Sequence, residues 1–334
     1  MTESLAVRDA TEADRGAAVV LLAAAHGSET RSAGSWDWLF RGRLDRYVVA
    51  DAGDQLAAQY ALLPLRLQHR GEVIDASLSL DTATHPDFTG RGLMTELALR
   101  AYDRPGGDLV FGFPNSNSAW IFYNRLGWHE LTPFPLLVKP LPGLVRALSP
   151  VPLPRGPHLR RSRSESAERF DRFDSWADDI WDATSAELGT AVVRDSAYLN
   201  WRFADAPATY DRFVVQAGGK PVAYSILRTV PWRRSRVSYL MELAAHPGAE
   251  QEAASALNAA VATARDLGAA GVAALVTPRN PLGGVLRAQG FRVPPARVRA
   301  GFSFGARLSG DLESHTELHR LDAWHLTAAD FDHI

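Results

Sequence analysis

The chain has no cysteine. That excludes disulfides, thiolate metal sites and a cysteine nucleophile. Lysine is nearly missing too: only Lys139 and Lys220 occur, and every other basic residue is arginine. No excess of one charge exists either. The 36 basic and 38 acidic side chains leave a net charge of −2, so neither a nucleic-acid nor a membrane-surface partner is expected. Long apolar runs are absent. The longest, Ala17 to Ala25, is too short to cross a bilayer. The opening Met-Thr-Glu-Ser-Leu-Ala-Val-Arg-Asp lacks a basic stretch followed by an apolar one, so a cytoplasmic location is expected. The ten histidines show no metal-ligand spacing, and no metal is expected. No Gly-x-Ser-x-Gly elbow occurs.

What is present is ordinary core material and one informative segment. With 334 residues, 46% of them apolar, the chain can build two domains or one large one. The segment Leu80-Asp-Thr-Ala-Thr-His-Pro-Asp-Phe-Thr-Gly-Arg-Gly92 runs from alternating strand residues through a Pro bend into a Gly-x-Gly loop. A helical pattern follows from Leu93 to about Tyr102. A strand, a glycine turn and a helix N-terminus in sequence aim successive backbone N–H groups at one spot, where an anion can sit.

Six prolines between Pro140 and Pro157 remove backbone donors and disfavour helix, so this stretch reads as a linker. It divides the chain into residues 1–140, a linker 141–157 and residues 158–334. Landmarks before it recur after it. Asp37-Trp38-Leu39-Phe40 is echoed by Asn200-Trp201-Arg202-Phe203, Asp45-Arg46-Tyr47 by Asp211-Arg212-Phe213, and Asp81 before His85-Pro86 by Glu242 before His246-Pro247. The offsets stay between 161 and 166, which implies an internal duplication. Each half opens with an expected amphipathic helix (11–25 and 167–182). Strands at 47–50, 56–64 and 74–84, a helix after the His-Pro bend, and an apolar strand (109–113; 272–276) complete the pattern. Strands alternating with helices imply an α/β or α+β sheet covered on both faces.

Two blocks of the first half resemble the GCN5-related N-acetyltransferase (GNAT) family. One is Asp81 to Met94; its segment Thr89-Gly90-Arg91-Gly92-Leu93-Met94 lies over the family's acyl-CoA loop, Arg/Gln-x-x-Gly-x-Gly/Ala. Thr89 replaces the basic residue and Met94 the last small one. The other is Gly112-Phe-Pro-Asn115-Ser-Asn-Ser118, continuing to Tyr123-Asn-Arg-Leu126-Gly127-Trp128, which is similar to the fifth strand, following helix and Tyr-x-x-x-Gly-aromatic turn. The resemblance implies two tandem GNAT-like domains, each a mixed, mostly antiparallel sheet flanked by helices. It also implies acetyl-CoA or another acyl-CoA as co-substrate and a small-molecule amine, such as an amino sugar or antibiotic, as acceptor. In the second half Glu250 and Glu252 stand where a pyrophosphate would lie and would repel it, so that copy is read as degenerate.

Acyl transfer must hold the donor, free the amine of a proton and stabilise the departing thiolate. The resemblance assigns the donor to Thr82, Ala83, Thr84, the loop Thr89 to Met94, and Asn115 and Ser118. Asp81 is the candidate base, direct or through water; on a regular strand it shares a face with Ser77, Ser79 and Ala83. Tyr123 is the candidate acid, because a phenol of pKa about 10 can donate to a thiolate. Trp38 and Glu242 are expected on the acceptor side. Three other readings remain: an acyl-CoA-binding regulatory module without turnover, an aminoacyl-tRNA-dependent transferase with a doubled fold, and the same fold with an unusual acyl donor in a pocket reshaped by Met94.

Overall fold

The structure, a computed structural model, describes residues 5–27, 31–148, 167–299 and 302–331. The first half contains β1 (Ala6–Asp9), α1 (Arg15–His26), α2 (Ala33–Phe40), β2 (Tyr47–Asp51), β3 (Leu56–His69), β4 (Glu72–Thr84), α3 (Leu93–Tyr102), β5 (Leu109–Gly112), α4 (Ala119–Arg125), β6 (His129–Glu130) and β7 (Leu136–Pro140). Next come α5 (Gly143–Leu148), β8 (Ala167–Arg169), α6 (Ser175–Thr184), β9 (Ala191–Val192), α7 (Ser196–Leu199) and β10 (Asp211–Ala217). The chain then forms β11 (Lys220–Trp232), β12 (Ser235–Ala245), α8 (Glu250–Asp266), β13 (Ala269–Leu275) and β14 (Gly305–Leu308).

Among the described residues these strands make two sheets. The first runs β1-β2-β3-β4-β5-β14-β6, with β9 added beside β3; the second runs β7-β13-β12-β11-β10-β8. Neighbours are antiparallel except β4·β5 and β12·β13. The fold is therefore the expected pair of mixed, mostly antiparallel sheets. The division at residue 140 needs correction in space, because each half lends a strand to the other. β7 pairs with β13 (Gly271↔Pro140 to Leu275↔Leu136), and β14 pairs with β5 (Gly305↔Gly112 to Leu308↔Leu109). One apolar core spans the halves, with Trp36, Leu80 and Phe111 packing in the same cluster as Phe203, Met241, Phe304 and Trp324.

Three local expectations change. Residues 167–182 are not one helix. Ala167–Arg169 adds an edge strand to β10, and α6 starts only where the Asp174 carboxylate accepts from Ser175 N at 2.7 Å. The linker contains the helix α5, whose Ala147 is buried; its part from 149 onward lies outside the described residues. β3 runs on past Pro64. Its ladder with β2 ends at Ala61, so the missing N–H of Pro64 faces no β2 partner, as at a sheet edge, where proline is tolerated.

Candidate active site

β4 and β5 pair side by side only at Ser77↔Val110, Leu78↔Phe111 and Ser79↔Gly112. Beyond Gly112 β5 ends, while β4 continues to Thr84, so the backbone of β4 past Ser79 has no ladder partner on that side. The parting coincides with a β-bulge. Gln59 faces Ala83 and Ala61 faces Leu80, leaving Asp81 and Thr82 opposite Tyr60 alone. Asp81 takes φ +49°, rare for a residue with a side chain. A bulge re-aims side chains, and it overturns the expectation that Asp81 shares a face with Ser77 and Ser79. Ser77 bonds Arg46 and Gly106 O, and Ser79 donates to the Tyr60 hydroxyl. Asp81 instead turns to Arg31, whose Nε lies 3.0 Å from both carboxylate oxygens and whose Nη2 lies 2.6 Å from Oδ1. Both partners are almost wholly buried. Both carboxylate oxygens are taken up by the guanidinium fork, so this placement speaks for a positioning role of Asp81.

The loop at the head of α3 is open. Gly90 and Gly92 sit at φ +77° and +79°, and a Cβ at either would meet nothing within 4 Å. Gly92 is the N-cap, and no capping side chain covers the first turn. The positive φ explains the glycines; the uncovered N–H groups and the helix dipole make an anion cradle. Arg91 lies over the Phe88 ring at 4.7 Å, bringing a cation to the loop that Thr89 does not supply. Thr89 closes its own turn through Oγ1 to Pro86 O at 3.0 Å. Leu93 is buried and Met94 packs half-buried on the core beneath. These residues fit a pyrophosphate. In the second half α8 begins after Gly248 with Glu250 and Glu252 in its first turn, as expected for a copy that repels one.

Tyr123 is carried by α4, the helix that follows β5. Its hydroxyl is hydrogen-bonded to Ser303 Oγ, and its ring presses on Gly305, where a Cβ would come within 2.7 Å of Cε1. Gly305 is paired with Gly112, so Tyr123 is seated at the point where β4 and β5 part by two residues of the second half. Burial pushes its hydroxyl up to about 12. Asn115 and Ser118 bond each other: Asn115 Oδ1 accepts from Asn117 N at 2.9 Å and Ser118 N at 3.1 Å. These bonds close the turn that precedes α4.

The opening gives onto a cleft of about 1010 Å³ between the sheets. Leu63, Leu65, Leu78 and Leu80 form its apolar wall, Asn115 and His26 mark the end near the parting strands, and Arg202, Tyr210 and Arg228 come from the second half. The His26 ring meets the Thr82 carbonyl at 3.0 Å. Trp38 lines the cleft and is paired: its ring stacks on Trp201 at 5.1 Å, and each indole N–H donates to the other's carbonyl, at 2.8 and 3.3 Å. Glu242 requires correction as an acceptor-side residue. It is 2% exposed and bonded to Arg194 Nε at 2.8 Å and to Thr327 Oγ1 at 3.0 Å; burial raises its pKa. Arg194 also binds Asp330 through Nη2 at 2.7 and 2.8 Å. Arg31–Asp81 and Arg194–Glu242 are thus the same pair in the two copies. The residues that sequence reasoning missed are Arg31, His26, Ser303, Gly305 and Asp330. The duplication offset carried a signal for Arg31, since Arg194 stands 163 positions on; nothing local marks the others.

Comparison with known proteins agrees with this geometry. Residues 6–131 match the family described as Acetyltransferase (GNAT) domain. No curated protein sequence matches the chain. Among solved structures, Saccharomyces cerevisiae N-myristoyltransferase with bound myristoyl-CoA and inhibitors is similar over 92% of this chain and 82% of its own, at 12% identity and TM-score 0.63. A GCN5-related N-acetyltransferase from Anabaena variabilis matches over 91% and 73%, at 11% identity and TM-score 0.64. A probable N-acyltransferase from Enterococcus faecalis matches over the same shares, at 14% identity and TM-score 0.61. Residues 6–131 are thus similar to the GNAT acetyltransferase domain, and the chain as a whole shares the two-sheet fold of these acyltransferase structures.

Proposed function

We propose that the chain transfers an acyl group, acetyl in the first instance, from acyl-CoA to the amine of a small metabolite seated in the cleft between the two sheets. The carrying observation is the parting of β4 from β5 beyond Ser79↔Gly112, with the uncapped head of α3 on one side and the cleft on the other. The pyrophosphate rests on the amides from Gly90 to Met94, with Arg91 beside it. The pantetheine arm and thioester lie along the free edge of β4 at Thr82, Ala83 and Thr84, reaching Asn115 and Ser118. The amine enters from the cleft past Trp38.

The amine nitrogen attacks the thioester carbonyl, the C–S bond breaks, and the sulfur leaves with the bonding pair. A phenol of pKa about 12 lies roughly three to four units above a thiol of about 8.5. Full proton transfer from Tyr123 to the thiolate is therefore uphill. Tyr123 serves as a hydrogen-bond donor to the developing negative sulfur, and the proton lost by the amine travels through water to the thiolate, giving free coenzyme A. Asp81 keeps Arg31 against the cleft wall.

Two measurements test this reading. Calorimetry with acetyl-CoA is expected to give saturable binding; none at high micromolar concentration overturns it. A thiol-release screen across amino sugars, amino acids and aminoglycosides, repeated with longer acyl-CoAs, identifies acceptor and donor. Coenzyme A binding without turnover of any acceptor would favour a regulatory module instead.

A further inference from the structure

We infer that His69, His315 and Glu317 form a binding site for a divalent metal ion of the zinc class, one that clamps the C-terminal segment onto the first sheet. The site lies apart from the acyl-transfer cleft and owes nothing to the proposed function. His69 ends β3 and is 5% exposed. His315 and Glu317 belong to the stretch that follows β14. One donor atom from each converges. His69 Nε2 is 3.1 Å from His315 Nδ1 and 3.2 Å from Glu317 Oε1, and His315 Nδ1 is 3.8 Å from the same oxygen. Ligands about 2.0–2.1 Å from a tetrahedral zinc stand about 3.3 Å apart. The three observed edges lie around that value, as one face of such a tetrahedron.

Two further observations point to an ion. The other ring nitrogen of His69, Nδ1, is fixed at 2.8 Å by the hydroxyl of Thr190, itself buried. A held second nitrogen is the usual support of a metal-ligating imidazole. Glu317 Oε1 is shielded from solvent yet makes no aligned hydrogen bond, although Arg70 Nη2 lies 2.7 Å away. That oxygen faces both imidazole nitrogens with the Arg70 guanidinium behind it, the arrangement of an anionic ligand held by an outer cation. Two imidazoles and one carboxylate, with a fourth position for water, suit zinc and its neighbours and not magnesium or calcium. Arg70 remains as an outer partner of the carboxylate.

The rival arrangement is a metal-free latch, in which His69 shares its proton between His315 and Glu317. Calorimetric titration of zinc chloride into the chelator-stripped full chain separates the two. One ion per chain with micromolar affinity or better is expected, together with a rise in Tm and, with cobalt(II), the intense visible bands of a low-coordinate site. Glu317→Gln, which keeps the side chain's shape, and His315→Ala, at a half-exposed position, are each expected to weaken uptake at least about tenfold. Near-UV circular dichroism of the stripped variants checks that they fold. Absence of saturable uptake, or uptake unchanged in both variants, overturns the site.

Discussion

Tyr123 is poised by its neighbours more than by its own chemistry. Tyr123→Phe removes only the donor and is expected to lower kcat by about 10²-fold or more, with little change in KM for acyl-CoA; steady-state thiol release measures both. With its hydroxyl at about 12, Tyr123 stays protonated through neutral pH, so an alkaline limb below pH 10 in the rate profile must belong to another group. Arg31→Met leaves the Asp81 carboxylate buried and unpaired. It is expected to cost about 3–5 kcal/mol in urea unfolding, and Arg31→Met with Asp81→Leu less than that. His325 carries a pH prediction. It is buried, its Nδ1 has no partner, and desolvation lowers its pKa from 6.5 to about 3. The unfolded chain takes up this proton near pH 6.5, whereas the native chain resists until about 3. This contribution is therefore full above pH 6.5 and is lost progressively as pH falls toward 3, by up to about 1.4 kcal/mol per unit. His325→Asn is expected to flatten that slope in acid-unfolding curves. Sequence marked Tyr123 and Asp81 as the residues to watch, and could not price them. Their roles depend on Ser303 and Arg31, whose distance along the chain hides the contact.

At the level of elements, the glycine turn before α3 was readable because positive φ restricts the residue choice. Gly90 and Gly92 could be placed on the loop before any coordinates. Gly92→Ala meets no clash but must hold a left-handed backbone at about 1–2 kcal/mol. The expected outcome is a modest loss of stability and a weaker hold on acyl-CoA, with KM rising about tenfold. The bulge in β4 was not readable. Alternation of apolar and polar residues assumes a regular strand, and one extra residue inverts everything after it. Gly305 tests the seat of Tyr123 from the opposite side: Gly305→Ala must push the ring away, since its Cβ would lie 2.7 Å from Cε1. A fall in kcat approaching that of Tyr123→Phe is expected, although the phenol itself is untouched. Had the linker composition alone governed, α5 would not exist; packing of Ala147 overrode it.

At the level of the whole molecule, the duplication was legible and the exchange of strands was not. Echoed tripeptides report that two copies are present; they carry no information about which copy a terminal strand joins. Because β14 completes the sheet of β5 and β7 completes that of β13, neither half has its full sheet alone. Residues 1–148 expressed by themselves are expected to aggregate through the uncovered edge of β5. Co-expression with residues 167–334 is expected to give a soluble complex, read out by co-purification. Full-length protein should unfold in one transition, not two. The reciprocal pair Trp38–Trp201 gives that transition a private optical signal. Two indoles stacked 5.1 Å apart couple their electronic transitions, so their near-ultraviolet dichroism contains a term that neither ring has alone. That term vanishes as soon as the sheets slide past one another, even if every strand stays intact, which makes the pair a ruler for the seam between the copies.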